Sequence, residues 1–359
     1  MPLTRRLFLH FFTAILVLPL VPSLSAEETW SFGVIPDTQW QRNAPFNGVA
    51  IHVIDAINAE FIRQKVDFVI QVGDLTDKAS ATAFQTRAAH NKALEEAGIK
   101  FYSLRGNHDS PDPESIAQYK EAFPDLPGTP NGGGSSPDLP GAEGMTYSFT
   151  HKNGKFICLD IFPLVNDGST SGKAYKISDY QPWLEAELKK NDHSFAFVFS
   201  HKNLVGQNHK DNLFTGDGTN QDGNPEMQNA FYACLQQNGV RYYLSGHDHI
   251  YQRSRISSPD GNSELGQIIC GSASSKFYTP RPPFLTREKP LTQEQKRIGF
   301  VIARVSDNQV CFEYYSTEFF GNEPKTPTWE LRDSFGYTLD GKVFEETWES
   351  MKKIDRPGL

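Results

Sequence analysis

Short apolar runs alternate with longer amphipathic stretches along most of the chain. The runs at residues 30–35, 68–72 and 101–104 have the length and apolar character of buried strands. The stretches at 49–63 and 83–97 place their apolar side chains on one helical face. This alternation is typical of α/β proteins in which helices cover sheets.

The second half of the chain continues the alternation and ends in a hairpin. The apolar runs at 300–305 and 310–315 are separated by four polar residues, which predicts two antiparallel strands. After residue 320 we predict an irregular tail with one short helix near 345–352. Further strands are predicted at 156–161, 195–199, 242–244 and 267–269, and helices at 181–190 and 226–238.

Two long segments interrupt the pattern. Residues 124–144 are rich in Pro and Gly, and residues 207–225 are rich in Gly, Asn and Asp. Loops of this length in a compact domain are lids or binding loops, or else disordered insertions. The sequence leaves these alternatives open.

The first 26 residues predict a targeting signal rather than part of the fold. Arg5 and Arg6 precede an apolar stretch at 11–21, and small residues ending at Ala26 offer a cleavage site. The order Thr-Arg-Arg-x-Phe-Leu resembles the twin-arginine export signal. The apolar stretch is short for a membrane span, so we expect export to the bacterial periplasm or extracellular space without a stable membrane anchor. An uncleaved anchor is the alternative.

We therefore divide the chain into a signal peptide (1–26), one domain (27–320) and a C-terminal tail (321–359). The 359 residues are 38% hydrophobic and 22% charged, which excludes a disordered chain. The net charge is −8 and basic residues do not cluster, which argues against a dedicated nucleic-acid surface. An acidic protein of this kind binds phosphates only with the help of local cations.

Four cysteines follow the predicted signal. Three of them lie within strand-like runs, where a thiol usually behaves as a small buried apolar group. We interpret all four as buried free thiols, although an even number permits one or two disulfides. They are Cys158, Cys234, Cys270 and Cys311.

Polar side chains follow five of the predicted strands at the point where each strand ends. The carboxyl ends of strands in open α/β sheets form the crevice where ligands bind. Carboxylate, amide and imidazole groups together suit Mn, Fe or Zn better than a calcium cage. The groups concerned are Asp37, Asp74, Asn107, His201, His247 and His249.

Five ordered motifs that contain these residues resemble those of the calcineurin-like metallophosphoesterase superfamily. The resemblance implies a four-layer α/β/β/α sandwich, in which two mixed sheets are flanked by helices. It covers residues 37–249 and extends through the flanking strands to about residue 315. The motifs are Asp37-Thr38-Gln39, Gly73-Asp74-x-x-Asp77, Gly106-Asn107-His108-Asp109, the single His201, and Gly246-His247-Asp248-His249.

The resemblance implies two divalent metal ions per chain, with Mn favoured and Fe, Zn or Mg as alternatives. Asp37 and His249 would bind one ion, and the Asp74 carboxylate would bridge the two. The second ion would be bound by Asn107, His201 and His247.

The resemblance also implies roles for two residues that do not bind metal. His108 would contact the scissile phosphate or protonate the leaving oxygen, and Asp77 would orient its ring. A metal-bridging hydroxide would attack phosphorus. The substrate would be a phosphorylated small molecule, a nucleotide or a phosphopeptide. The alternatives are a hydrolase of the pyrophosphate bond of nucleotide diphosphates and a non-catalytic, metal-bound binding protein.

Position 39 departs from the common motif, because Gln39 stands where most members have His. Asp-x-Gln resembles the branch that includes manganese-dependent ADP-ribose and CDP-alcohol diphosphatases, and it also occurs in a branch acting on phosphoproteins. The amide oxygen would bind a metal weakly or hold a water. Alternatively, Gln39 only bonds nearby backbone.

Overall fold

The computed structural model describes residues 29–41, 45–110, 112–169, 172–190, 192–214, 223–279 and 287–345. The predicted signal peptide lies outside the described residues, as does the part of the predicted C-terminal helix beyond residue 345. No helix of the described segments combines the length and the apolar character that crossing a bilayer demands.

Two mixed sheets pack face to face, and each has seven strands among the described residues. The strands of the first sheet, in spatial order, are β14 (Val343–Glu345), β13 (Glu330–Thr338), β12 (Gln309–Glu318), β11 (Arg297–Val305), β1 (Trp30–Ile35), β2 (Phe68–Val72) and β3 (Lys100–Leu104). Strands β1, β2 and β3 are parallel, and β1 is antiparallel to β11 on its other side.

The second sheet has a parallel centre formed by β5, β6, β7 and β9. Antiparallel β4 lies at one edge, and β8 and β10 extend the other side. Its strands, in spatial order, are β10 (Glu288–Glu294), β8 (Ile250–Ser257), β9 (Glu264–Gly271), β7 (Tyr242–Ser245), β6 (Phe195–Ser200), β5 (Gly154–Leu159) and β4 (Tyr147–His151).

Helices complete the predicted four-layer sandwich. The apolar face of α1 (Ile51–Gln64) packs on the outer face of the first sheet. On the second sheet, α6 (Pro225–Gln237) packs against α5 (Ile177–Leu188) and β9. The fold class predicted from the sequence is therefore confirmed. The helices are α1 (Ile51–Gln64), α2 (Ala81–Ala89), α3 (Lys92–Glu96), α4 (Glu114–Ala122), α5 (Ile177–Leu188) and α6 (Pro225–Gln237).

Side-chain alternation along β1 separates two cores. Phe32 points between the sheets, where its ring meets those of Phe156 and Phe197 edge-on at centroid distances of 5.1 and 5.0 Å. The next residue, Gly33, lies on the other face, where a Cβ atom would come within 2.5 Å of the Phe61 ring of α1. A strand with period-two alternation thus joins the inter-sheet core to the core beneath α1.

The predicted strands and most helices are present, but the helix predicted at 83–97 is two helices. The chain breaks at His90, whose carbonyl oxygen accepts a hydrogen bond from Asn58 Nδ2 of α1 at 2.8 Å. Arg87 Nη1 donates to Asn91 Oδ1 at 2.7 Å. The Asn58 amide satisfies a backbone carbonyl oxygen where α2 ends, and the Arg87–Asn91 bond links the side chains on either side of the break.

Part of the segment predicted as an irregular tail belongs to the first sheet. Residues 330–338 form β13, which pairs antiparallel with β12. Phe335 and Tyr337 of this strand are buried in the inter-sheet core. The expectation of irregular structure is therefore wrong for these residues, because alternating apolar side chains bury there.

The Pro- and Gly-rich segment 124–144 packs against the edge of the second sheet. Ser135 pairs with Ser148 of β4, and Trp183 Nε1 of α5 donates to Ser135 Oγ at 3.1 Å. Leu126 and Ala142 are buried. Of the two alternatives for this loop, the structure excludes a disordered insertion. The four cysteines, all of which are among the described residues, are buried and form no disulfide with one another, as predicted.

Candidate metal centre

Loops at the carboxyl ends of strands from both sheets meet at one place. Asp37 and Asp74 each lie two residues beyond a strand of the first sheet. His201 directly follows β6, and the loop after β7 carries His247 and His249. All five side chains are buried. The structure therefore brings these predicted ligands together.

The five residues form two overlapping groups. Asp37, Asp74 and His249 offer ligand atoms that lie within 4.8 Å of one another, and so do Asp74, His201 and His247. Asp74 belongs to both groups. This is the arrangement that two neighbouring cations bridged by a single carboxylate require.

Two amide side chains complete the predicted ligand set. Asn107 Oδ1 lies 3.1 Å from His201 Nε2, at the exposed mouth of the site. Gln39 is fully buried, and its Nε2 donates to Asp74 Oδ2 at 3.0 Å. Its carbonyl oxygen, Oε1, has no hydrogen-bond partner among the described residues. A buried oxygen without a partner beside a carboxylate fits a metal ion, so the residues present suit the group that the motifs imply.

Electrostatic coupling within the cluster is strong. Burial raises the pKa of Asp37 to about 7 against the opposing effect of His201, and the charge of Asp74 adds to the rise. Burial would also raise the pKa of Asp74, but neighbouring imidazoles, His201 first, hold it well below its usual range. Burial lowers the pKa of His249 to about 3. Carboxylates crowded together in this way are stabilised by cations.

The ligand-bearing backbone is unusual at three positions. Asp74, His247 and His249 have φ angles of 47°, 71° and 47°, which lie in the left-handed region. Such conformations cost about 1–3 kcal/mol each for residues other than Gly and cluster at functional sites. All three residues belong to the buried groups of ligand atoms, so the unusual backbone coincides with the shared centre.

Two motif glycines provide space rather than a special conformation. A Cβ atom on Gly106 would overlap the Asp74 carboxylate and its backbone nitrogen. A Cβ atom on Gly246 would come within 2.6 Å of Asp37 Oδ2. Glycine at these two positions thus allows the close approach of neighbouring ligand loops.

Two buried carboxylates tie the ligand loops together. Asp109 accepts hydrogen bonds from the backbone nitrogens of Leu75 and Gly106, both at 2.9 Å, and so joins the loops after β2 and β3. Asp248 accepts from Asn203 Nδ2 at 2.8 Å and joins the loops after β6 and β7. Sequence reasoning gave neither residue a role, although the signal was present, since both stand inside the motifs.

His108 is held by the backbone of Asp77 rather than by its carboxylate. The His108 Nδ1 atom lies 2.7 Å from the Asp77 carbonyl oxygen and 3.5 Å from Oδ1 of the side chain. The His108 backbone nitrogen donates to Asp74 Oδ1 at 2.9 Å. The His108 side chain is 22% exposed, so its ring reaches the mouth of the site.

A model of the calcineurin-like phosphoesterase family matches residues 31–251, which is more than half of the chain. The chain belongs to this family. The family predicted from the five motifs is thereby confirmed, and a dimetal centre at the buried Asp and His groups agrees with it. No match is found among curated protein sequences.

Solved structures add a likeness of fold. The chain is similar to PhoD, with a TM-score of 0.58 and 15% identity over 89% of this chain and 72% of that protein. It is also similar to a purple acid phosphatase from seeds of yellow lupin (Lupinus luteus), with a TM-score of 0.57 and 13% identity over 87% of this chain. The match spans 54% of the lupin enzyme. At such identities the likeness shows the fold alone.

Proposed function

We propose that this protein hydrolyses a phosphate ester with two divalent cations bound where the ends of the two sheets meet. The observation that carries the proposal is Asp74, whose carboxylate belongs to both buried groups of ligand atoms. Membership of the calcineurin-like phosphoesterase family supports the same chemistry.

The residues of the centre divide between the two cations. Bound cations would neutralise charge on the phosphoryl oxygens and make a water nucleophilic at neutral pH. One cation would be held by Asp37, Gln39 and His249, the other by Asn107, His201 and His247, and Asp74 would serve both.

We assign the proton transfer to His108. Its Nδ1 lies at hydrogen-bond distance from the Asp77 carbonyl oxygen, so Nδ1 donates there and Nε2 is the atom that acts on substrate. The ring stands at the mouth of the site. There it would meet the oxygen that leaves phosphorus. Because Nδ1 keeps its own proton, the ring must be in the imidazolium form to donate from Nε2, and protonation of the leaving oxygen by this group is general acid catalysis.

Manganese is the cation that we propose, because of Gln39. The amide oxygen replaces an imidazole, so the Asp37 side of the centre gains an oxygen ligand, which Mn and Mg accept more readily than Zn. The twin-arginine pattern in residues 1–26 supports export to the periplasm or extracellular space.

The test uses the chain from residue 27 onward, freed of metal with a chelator and reloaded with Mn, Fe, Zn or Mg. A phosphomonoester, a phosphodiester, a nucleotide diphosphate and a phosphopeptide are assayed with each metal. We expect no hydrolysis without metal and the highest rate with Mn. Preferential cleavage of the nucleotide diphosphate would establish the pyrophosphate-bond alternative, and preferential cleavage of the phosphopeptide would point to the other branch that the Asp-x-Gln motif resembles.

The same assay is made with Asp74→Asn, which removes the carboxylate shared by both groups. A matched variant controls for the loss of a carboxylate as such. Asp340→Asn changes an exposed carboxylate of the turn between β13 and β14, and we expect it to keep the wild-type rate. Two bound metal ions without turnover of any substrate would contradict the proposal and favour a binding protein.

A further inference from the structure

The His247 imidazole is held by a segment that lies outside the five motifs. Residues 202–211 directly follow His201, and we call them the clamp loop. It includes part of the Gly-, Asn- and Asp-rich segment that begins at residue 207. Two of its side chains, His209 and Asp211, contact the His247 ring.

The first contact is a hydrogen bond to the edge of the ring. Asp211 Oδ1 lies 3.1 Å from His247 Nε2, and Asp211 Oδ2 lies 2.9 Å from Lys202 Nζ. The Lys202 ammonium also lies over the Phe162 ring, 5.7 Å from its centroid. Both oxygens of the carboxylate are thus engaged, which fixes its orientation toward His247.

The second contact covers the face of the ring. The rings of His209 and His247 stack with centroids 4.0 Å apart and planes inclined by 22°. His209 is held in turn by Asp248, whose Oδ1 lies 2.7 Å from Nδ1 and accepts from the His209 backbone nitrogen at 2.9 Å. Tyr278 meets the His209 ring edge-on at 5.0 Å.

These contacts leave one nitrogen of His247 for a cation. Nε2 is engaged by Asp211, so Nδ1 is the atom available to the group that contains Asp74 and His201. A carboxylate on the remote nitrogen of a ligating imidazole fixes its tautomer and raises its basicity. The His249 ring differs, because its Nδ1 lies 3.2 Å from a neutral acceptor, the Lys276 carbonyl oxygen.

We propose that Asp211, braced by Lys202, is a positioning residue that strengthens cation binding at the His247 side of the centre and not at the His249 side. The inference rests on the proposed two-cation function. It also gives the clamp loop a purpose, since this loop reaches the centre from outside the motifs.

The test is a titration of metal-free protein with Mn²⁺. Binding is measured by calorimetry and by the electron paramagnetic resonance signal of free Mn²⁺. We expect wild type to bind two ions, and Asp211→Asn to bind one of them about 10–100-fold more weakly. The other affinity stays unchanged. Lys202→Met should weaken the same ion by a smaller factor, and Asp211→Glu should restore most of the affinity.

The chain offers a matched control remote from the centre. Asp55 Oδ1 lies 2.7 Å from His90 Nδ1, which is the same pair of groups in another place. Asp55→Asn should leave both affinities unchanged. Melting curves of the metal-free proteins establish that each variant is folded, and Lys202→Met carries the test if Asp211→Asn does not fold.

The outcomes separate the inference from the proposed function. Wild type that binds fewer than two Mn²⁺ ions would overturn the proposed function, and this inference with it. If wild type binds two ions and Asp211→Asn binds both with the same affinities as wild type, only the positioning role is overturned. If Asp211→Asn binds both ions more weakly by the same factor, the role of Asp211 is not restricted to the His247 side.

Discussion

The two sheets contribute different chemistry to one centre. We call the loops at the carboxyl ends of the strands the rim of each sheet. The rim of the first sheet offers oxygen donors, namely the carboxylates and amides of Asp37, Gln39, Asp74 and Asn107. The rim of the second offers the imidazoles of His201, His247 and His249. Neither sheet alone holds a set that mixes oxygen and nitrogen ligands. The candidate centre therefore depends on the packing of the sheets against each other.

Gln39 makes this division complete. With His at position 39, the first sheet would supply one nitrogen donor of its own. With Gln, every nitrogen of the predicted set comes from the second sheet. The experiments below disturb the division in turn, beginning with the residue that both groups share.

The largest effect is expected for Asp74→Asn. A neutral amide bridges two cations poorly, so we expect metal content to fall and the rate to drop by more than about 10⁴-fold, or about 5.4 kcal/mol. Asn tolerates the φ angle of 47° that Asp74 adopts, so the change keeps the backbone while it removes the charge and one of the two accepting oxygens. Metal analysis and steady-state kinetics measure both quantities. Full activity with two metals bound would refute the bridging role.

His108→Ala tests a group of the first rim that is not expected to bind metal. We expect both metals to remain and the rate to fall by about 10²–10⁴-fold on substrates with poor leaving groups, because these need a proton. Substrates with good leaving groups should lose much less. An equal loss on both kinds would indicate phosphate binding instead, and loss of metal would remove the assigned role.

Gln39→His places a nitrogen donor on the oxygen-rich rim. We expect the Kd of the cation at the Asp37 and His249 side to fall by about tenfold, or about 1.4 kcal/mol, with preference shifting from Mn toward Zn. Competition with a chelator measures this in the native protein and the variant. Identical affinity and metal preference in the two proteins would show that Gln39 does not contribute to cation binding.

The smallest effect on metal binding is expected for a change in the helix layer outside the second sheet. The Glu187 side chain in α5 is 4% exposed, and it accepts hydrogen bonds from Lys190 Nζ at 2.6 Å and Ser148 Oγ at 2.8 Å. Burial would raise the pKa of Glu187, but these partners outweigh it and lower the pKa to about 2. The ionised carboxylate therefore stabilises the fold above about pH 4.5, and this contribution is lost as the pH falls toward 2.

Glu187→Gln should lower the free energy of unfolding by about 1–3 kcal/mol at pH 7 and by much less near pH 2. Denaturant unfolding at the two pH values measures the difference. Glu185→Gln, on the exposed side of the same helix, is the matched control and should change little. Altered metal affinity in Glu187→Gln would show that the helix layer influences the metal centre. That result would contradict our expectation that the centre depends on the packing of the two sheets.

The parts predictable from the sequence are those with local signals. Each ligand loop follows an apolar run within a few residues, so the strand and the polar residue at its end predict each other, as for Val72 and Asp74. The order of the motifs then predicts the family and the sandwich. These signals need no knowledge of what lies across the fold.

Features made by distant contacts could not be predicted in this way. The break between α2 and α3 depends on Asn58, which lies 32 positions before the carbonyl that it binds. The contact of Asp211 with His247 spans 36 positions and belongs to no motif. Even the predicted Asp77–His108 pair needed coordinates to show that the shorter contact of Nδ1 is to the backbone oxygen.

The left-handed backbone at Asp74, His247 and His249 restricts how this centre changes by mutation. Asn, Asp and His are the residues other than Gly that adopt this conformation most readily. They are also residues whose side chains bind divalent cations. At His247 and His249, most replacements that the backbone accepts would therefore still offer a donor atom, whereas at Asp74 the bridging role also demands the negative charge. We expect a lineage that drifts at the two histidines to exchange one donor for another, so that its choice of cation changes before the centre itself is lost.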